Sequence, residues 1–260
     1  MDSFPDRYGK WAVVAGASEG LGEAFAPALA ARGMNVVLVA RRGRILEDVG
    51  ERLAAEHGIE VRCLELDLAD SGFPGALKDA TDDLELGVLV YNAASVPMGP
   101  FLDHDADAIE AAVDVNVRGP LRLVRTLAPA LKERGRGAVV LMSSLSGLQG
   151  SPSIAVYAAS KAFNTIFAEG LWYELTPHGI DVAACVSGAV PTPGYQERFG
   201  REVPGMLSAD ETVRQTLDTL RQGPRIVPGR INRFAHQLVR RLLPRRTAIR
   251  LIAKSTKHLG

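Results

Sequence analysis

Short apolar runs alternate along this chain with longer stretches whose apolar positions recur every three or four residues. Trp11–Ala15, Asn35–Ala40, Val61–Leu66, Leu86–Tyr91, Ala138–Met142, Ile180–Val186 and Arg225–Val227 read as strands buried on both faces. The intervening stretches predict helices. One runs from the glycines at 16–22 to Arg32, with Gly33 as its C-cap, and a second runs from Ile45 to Glu56, closed by His57-Gly58. Ala106–Asn116 and Leu121–Glu133 follow, with a bend between them at Gly119-Pro120. Ala158–Leu175 is the longest and comes after the turn residues Ser151-Pro152-Ser153. Strands alternating with helices predict an α/β fold. It is a doubly wound parallel sheet of about seven strands between two helical layers, in a single domain. Ligands of such sheets bind at the carboxyl ends of the strands.

Polar motifs cluster at those ends. The first strand runs into Gly16-Ala17-Ser18-Glu19-Gly20-Leu21-Gly22 and then a helix. Glycines let the backbone approach a pyrophosphate, and the helix start offers free N–H groups to it. The second strand ends in Ala40 and is followed by Arg41, Arg42 and Arg44, with no acid before Glu47. NAD-selective sites end this strand with an acid that holds the ribose 2′-hydroxyl. Arginine there pairs instead with a 2′-phosphate, so NADP(H) is the expected cofactor, with Arg41 as the leading contact. Solvated arginines are the competing reading for Arg42 and Arg44. The third strand delivers Asp67-Leu68, where the acid either accepts from an adenine amine or caps the next helix. The fourth delivers Asn92-Ala93-Ala94, and the fifth Ser143-Ser144.

Tyr157 and Lys161 stand four residues apart, on one face of the longest helix. A free phenol has a pKa of about 10, too high for proton transfer near neutrality. An ammonium within roughly 4–6 Å lowers it by about 1–3 units, which makes the pair a proton donor and acceptor near pH 7.

With these residues placed, the chain resembles the short-chain dehydrogenase/reductase family over about residues 10–230. Gly16, Gly20 and Gly22 look like its cofactor turn, which implies backbone contacts from Gly16, Ser18, Gly20, Leu21 and Gly22. Asn92-Ala93-Ala94 is similar to its Asn-Ala-Gly segment. Asn116, Ser144, Tyr157 and Lys161 match its catalytic tetrad in order and spacing. Ser187–Thr192 resembles its Pro-Gly-x-Val-x-Thr segment, which by analogy holds the nicotinamide carboxamide through Val190 and a phosphate through Thr192. Four positions depart from the pattern. Ala15 replaces Thr, Ala94 replaces Gly, Ser187 replaces Pro, and Glu19 stands where NADP-dependent members often carry a basic residue. The resemblance implies interconversion of a carbonyl and a secondary alcohol. Ser144 would hold the substrate oxygen and Tyr157 would move the proton. Lys161 would lower the phenol pKa and bind the nicotinamide ribose, while Asn116 would support a relay water. The resemblance also implies a homodimer or homotetramer, built through the helices near 106–133 and 157–175.

Composition adds one asymmetry. The chain has 30 basic and 30 acidic residues, but residues 225–260 hold ten Lys or Arg and no acid. Residues 1–224 therefore hold 30 − 10 = 20 basic against 30 acidic, a net −10. Residues 1–230 thus read as the NADP(H)-binding domain and 231–260 as a basic amphipathic extension. Ile231, Phe234, Ala235, Leu238, Val239 and Leu242 form its apolar stripe, Pro244 breaks it, and Ile249, Ile252 and Ala253 begin a second. Burial of that stripe on the body or on a neighbouring subunit is the first expectation, and an anionic membrane surface is the alternative. Nucleic acid is not expected, because no aromatic platform accompanies the charge. Cys63 and Cys185 lie in strand-like runs and read as packing residues in a reducing cytosol, and no metal site is expected. The start lacks a signal peptide and no apolar run nears 18 residues, which predicts a cytoplasmic protein. The loops at 95–101, 145–150 and 193–207 carry Val96, Met98, Phe101, Leu148, Tyr195, Phe199, Met206 and Leu207, an apolar lining suited to a lipophilic carbonyl compound. Two other function classes fit the same sequence: a non-catalytic NADP(H)-binding regulator, and a membrane-peripheral protein acting through its basic tail.

Overall fold

A computed structural model describes residues 3–200, 203, 205–241 and 244–256. The elements run α1 (Phe4–Tyr8), β1 (Trp11–Ala15), α2 (Gly20–Ala30), β2 (Asn35–Ala40), α3 (Gly43–His57), β3 (Val61–Glu65), α4 (Phe73–Asp79) and β4 (Leu86–Tyr91). There follow α5 (Ala106–Val113), α6 (Gly119–Arg134), β5 (Gly137–Ser144), α7 (Ala155–Leu175), β6 (Ile180–Ser187), α8 (Pro193–Phe199), α9 (Ala209–Asp218), β7 (Arg225–Ile226), α10 (Arg230–Arg241) and α11 (Arg245–Thr256).

The seven strands form one sheet in the order β3-β2-β1-β4-β5-β6-β7, every pair parallel. Alternate strand residues feed opposite cores, as the period of two requires. Val14, Val36, Leu38, Val90 and Val140 meet Phe25, Leu29, Leu46 and Leu53 of α2 and α3. Val13, Val37, Leu89, Val139 and Leu141 meet Phe73, Leu77, Leu123, Leu127 and Ala168 of α4, α6 and α7. With both faces covered, the polar residues of the strands are confined to their ends.

Register sets those ends level. Ala15 lies between Val39 and Tyr91, and Ser144 opposite Ser187. The chain order reverses between β1 and β4, the point where a crevice opens in such sheets.

Three local features differ from the sequence reading. Helix α7 begins at Ala155, so Tyr157 sits in its first turn. The expected bend at Gly119-Pro120 is instead a π turn, Asp114–Arg118, which joins α5 to α6 through a Gly119 N–H to Asp114 C=O bond. Proline is tolerated in the first turn of α6, because that N–H has no helical partner anyway. A Cβ on Gly119 would lie 1.9 Å from the Tyr91 hydroxyl, which donates to the Val115 carbonyl at 2.6 Å. Helices α1, α4, α8 and α9 were not anticipated; the first three are too short to show a period. Helix α9 carried a signal in Ser208, whose hydroxyl accepts from the Glu211 N–H.

The tail forms two helices broken around Pro244, as read. In the monomer Asn232 and His236, one turn apart, are 6% and 5% exposed, whereas Ile231 and Phe234 of the apolar stripe are 58% and 70% exposed and Ala235 and Leu238 are partly buried. The Asn232 amide donates to the Gly205 carbonyl of the body and to the Pro228 carbonyl just before α10. Leu242 and the side chain of Val239 lie outside the described residues. Cys63 and Cys185 are free thiols on β3 and β6, bonded to the Leu46 carbonyl and the Thr216 hydroxyl. Among the described residues no helix is long and apolar enough to cross a membrane.

Candidate active site

The cofactor turn is shaped by close approach. Gly16 has φ +85°, and a Cβ there would lie 2.5 Å from the Ala93 nitrogen. A Cβ on Gly22 would lie 1.9 Å from the Gly16 oxygen, so no side chain fits where α2 crosses the end of β1. The Asn92 side chain donates to the Gly16 carbonyl at 3.0 Å, and the Asn92 N–H donates to the Ala15 carbonyl at 2.9 Å. These bonds tie the turn to β4 although Ala15 lacks the family's hydroxyl. Glu19 is the N-cap of α2 but makes no side-chain cap bond, which leaves first-turn N–H groups free for an anion. Thr192 closes the cradle, with its methyl 3.0 Å from where a Gly20 Cβ would stand. This geometry fits the pyrophosphate of a dinucleotide.

Arg41 and Arg42 are both exposed after β2, and Arg42 reaches across the turn. Its Nη2 donates to the Ser18 carbonyl at 3.2 Å, the Ser18 hydroxyl at 2.9 Å and the Glu19 carboxylate at 2.9 Å. Glu19 therefore stands neutralised by an ion pair at the rim of the cradle. Asp67 is exposed, and its carboxylate accepts from the Ala69 N–H at 2.9 Å within a local turn; the N-cap position of α4 is Gly72, so Asp67 does not cap that helix, and Leu68 is buried beside it. Val190 is buried, and Thr192 caps α8 by accepting from the Tyr195 N–H at 3.2 Å.

Strand β5 and helix α7 bring the catalytic candidates together. Ser144, Tyr157 and Lys161 line one cavity of about 560 Å³, with Gly20, Leu21, Asn92, Val190 and Thr192 on its cofactor side. Lys161 is fully buried and donates to the Met142 carbonyl at 2.9 Å. Its ammonium lies 5.4 Å from the centre of the Tyr157 ring. Desolvation pushes its pKa down to about 8, so it keeps its charge at neutral pH against the pull of burial. Ser143, next to Ser144, fixes α7 through the Lys161 carbonyl and the Thr165 hydroxyl, each at 2.7 Å. The Ser144 hydroxyl accepts from the Ser146 N–H at 3.2 Å and the Ser146 hydroxyl at 3.0 Å. Gly147 lets this loop lie on α7, since a Cβ would come 2.7 Å from the Ala162 nitrogen.

Asn116 sits outside the cavity lining, in the π turn. Its amide accepts from the Ser95 N–H and donates to the Ser95 carbonyl, both at 2.7 Å. Both side-chain atoms are thus engaged with Ser95, which fixes the amide away from the cavity.

Val96, Leu148 and Tyr195 line the cavity as expected; Phe101 does not, being 52% exposed. Leu207 turns instead towards Gly229, Met206 accepts from the Val203 N–H through its sulfur, and the Phe199 side chain is not described. The sequence reading did not place Ile154 or four tail residues, Ile231, Asn232, Ala235 and Ile252, in the wall.

The short chain dehydrogenase family pattern matches residues 10–202. The chain belongs to that family. A 7β-hydroxysteroid dehydrogenase of Clostridium sardiniense is 34% identical to this dehydrogenase over 234 residues, covering 89% of this chain and 90% of that one. A very-long-chain 3-oxoacyl-CoA reductase of Podospora anserina is 35% identical over 195 residues, of which this chain spans only 57% of the length. Among solved structures, one described for 7β-hydroxysteroid dehydrogenase stereoselectivity superposes with TM-score 0.91 at 27% identity, covering 97% of this chain and 100% of that one. A short-chain dehydrogenase from Sphingobium yanoikuyae in complex with NADPH superposes with TM-score 0.78 at 31% identity, over 84% and 87% of the two chains.

The buried lysine has a consequence for stability that can be measured without substrate. Its folded pKa of about 8 lies below the ordinary 10.5, so between those values the unfolded chain holds a proton that the folded chain has shed. The lysine's contribution to stability therefore rises with pH across that window. Lys161→Met should be favoured over wild type most strongly below about pH 8, and the difference should shrink towards 10.5. Urea midpoints of both proteins across this range check it. A difference that stayed constant would show that burial does not depress this lysine.

Proposed function

We propose that this dehydrogenase uses NADP(H) to interconvert a bulky lipophilic ketone and its secondary alcohol. The observation that carries the reading is the charged, buried Lys161 behind Tyr157 at the floor of an apolar cavity. A bound nicotinamide supplies or accepts the hydride. Ser144 donates a hydrogen bond to the carbonyl oxygen and so places it against the phenol. Tyr157 gives that oxygen its proton during reduction and takes it back during oxidation. Lys161 favours the phenolate through its charge, and the main-chain carbonyl of Asn116 holds the water through which the proton is replaced. Leu145, Leu148, Ile154, Val203 and Ile231 make the wall apolar on the substrate side of the cavity, which suits a bulky lipophilic ring system. The hydroxysteroid-dehydrogenase relative supports that substrate class by analogy.

A panel of oxosteroids, aryl ketones and 3-oxoacyl thioesters with NADPH tests the assignment. Tyr157→Phe should lower turnover of any substrate found by about a hundredfold or more, while NADPH binding, followed by fluorescence, stays near wild type. Retention of more than about a tenth of the activity would remove Tyr157 from the proton-transfer role.

Arg42 is proposed as the main partner of the 2′-phosphate, with Arg41 as a second, more solvated contact. The NADPH-bound structural relative supports this choice of cofactor by analogy. Arg42→Ala should weaken NADPH binding by about tenfold or more and leave NADH binding nearly unchanged. An equal loss for both cofactors would assign Arg42 to the pyrophosphate turn alone.

The chain is also proposed to work as a homodimer or homotetramer. Ile166 and Tyr173 on α7 are 62% and 78% exposed, and Leu121 on α6 is partly so, an apolar face with no cover in the monomer. Light scattering should give two or four times 27.8 kDa; a monomer mass at micromolar concentration would refute it.

A further inference from the structure

The tail supplies a residue that fastens the active-site loops together. Asn232 on α10 is buried, and its Nδ2 donates to the Gly205 carbonyl at 3.0 Å and the Pro228 carbonyl at 2.9 Å. Three glycines press against the same amide. A Cβ on Gly188 would lie 2.6 Å from its Nδ2 and 2.7 Å from its Oδ1. One on Gly205 would lie 2.8 Å from Oδ1, and one on Gly229 3.1 Å from Nδ2. The three belong to different segments: Gly188 follows β6 and leads to Val190, Gly205 lies in the loop after α8, and Gly229 precedes α10. No side chain larger than hydrogen fits at Gly188 while Asn232 keeps its place.

We infer that Asn232 is a positioning residue: it locks α10 onto the loop that carries Val190 and onto the loop at Gly205. The cavity wall contributed by Ile231, Ala235 and Ile252 exists only while that lock is closed. A second contact, from the Arg245 guanidinium to the Leu148 carbonyl at 2.6 Å, holds α11 over the loop after Ser144. The tail therefore bridges the two loops that flank the substrate space. Aspartate keeps the shape but removes the donor and sets a carboxylate against both carbonyls. Gly188→Ala leaves the amide's chemistry intact and only displaces it, so the two variants together separate the lock from the cost of a buried charge.

The test uses the full chain and four variants, Asn232→Ala, Asn232→Asp, Gly188→Ala and Gly75→Ala. Gly75, on α4, has open space around its Cβ position and controls for an added methyl. Limited proteolysis reads the tail directly, with circular dichroism to establish folding. Loss of the two buried bonds should speed cleavage within residues 227–247 by about tenfold or more in the first three variants and leave Gly75→Ala unchanged. The kinetic arm rests on the proposed function. There the first three should raise the KM of a bulky ketone by about fivefold or more, with a smaller change in kcat. Should Asn232→Ala fail to fold, Gly188→Ala asks the same question by displacing the amide from the other side. Protection of the tail in folded Asn232→Asp and Gly188→Ala, at wild-type rates, would overturn the lock. A wild type that reduced no ketone would refute the proposed function while leaving the proteolysis result to decide the lock.

Discussion

An ammonium held almost entirely out of water is the constraint on which this site depends. Lys161 donates to the Met142 carbonyl near the end of β5. Burying a charge disfavours folding, so the surroundings must hold the lysine in place. Ser143 does so by bonding to the Lys161 carbonyl, and Gly147 does so by letting the next loop lie against the same turn of α7. The first turn of α7 carries Tyr157 and the second carries Lys161, so fixing one fixes the other. A solvated lysine would be screened by water and would lower the phenol pKa little.

The cofactor side is built on the opposite economy, with space removed rather than charge buried. Gly16 and Gly22 let the end of β1 and the start of α2 touch. Asn92 crosses from β4 to bind the turn. The family's threonine is therefore dispensable at position 15, because a side chain on the neighbouring strand makes the connection. Glu19 is compatible with an anion site for a related reason, since Arg42 already cancels its charge. These two departures from the family pattern have partners that offset them, and both partners are visible only in three dimensions.

Legibility in the sequence followed the strength of local periodicity. The strands buried on both faces were readable because their apolar runs are unbroken, and their parallel sense followed from the helices between them. Helical spacing likewise places Tyr157 and Lys161 on one face of α7, and the structure brings both to one cavity with Ser144. Through-space partners were not legible. The Arg42–Glu19 pair joins residues 23 positions apart across the cofactor turn. Apolar spacing marks the tail stripe but not the polar pair Asn232 and His236, which is the buried part of α10 in the monomer. Asn232 carries no signal in its own sequence neighbourhood; only the glycines at 188, 205 and 229, scattered over some forty residues, record its presence.

This division bears on how such a fold diversifies. The residues proposed for proton transfer lie on β5 and α7, where sheet register and buried hydrogen bonds fix them. The cavity wall also draws on loops and on α10 and α11, which leave Ile231, Phe234 and Leu251 exposed. Helix α11 reaches the start of α7, where Arg245 and Ile249 face Ala155, Ala158 and Ala159 across a small pocket beside Tyr157. On the other side a displaced Val190 loop would strike Asn232 through Gly188. Cofactor-side geometry thus limits the tail, and under the proposed function the tail shapes the space in front of the phenol.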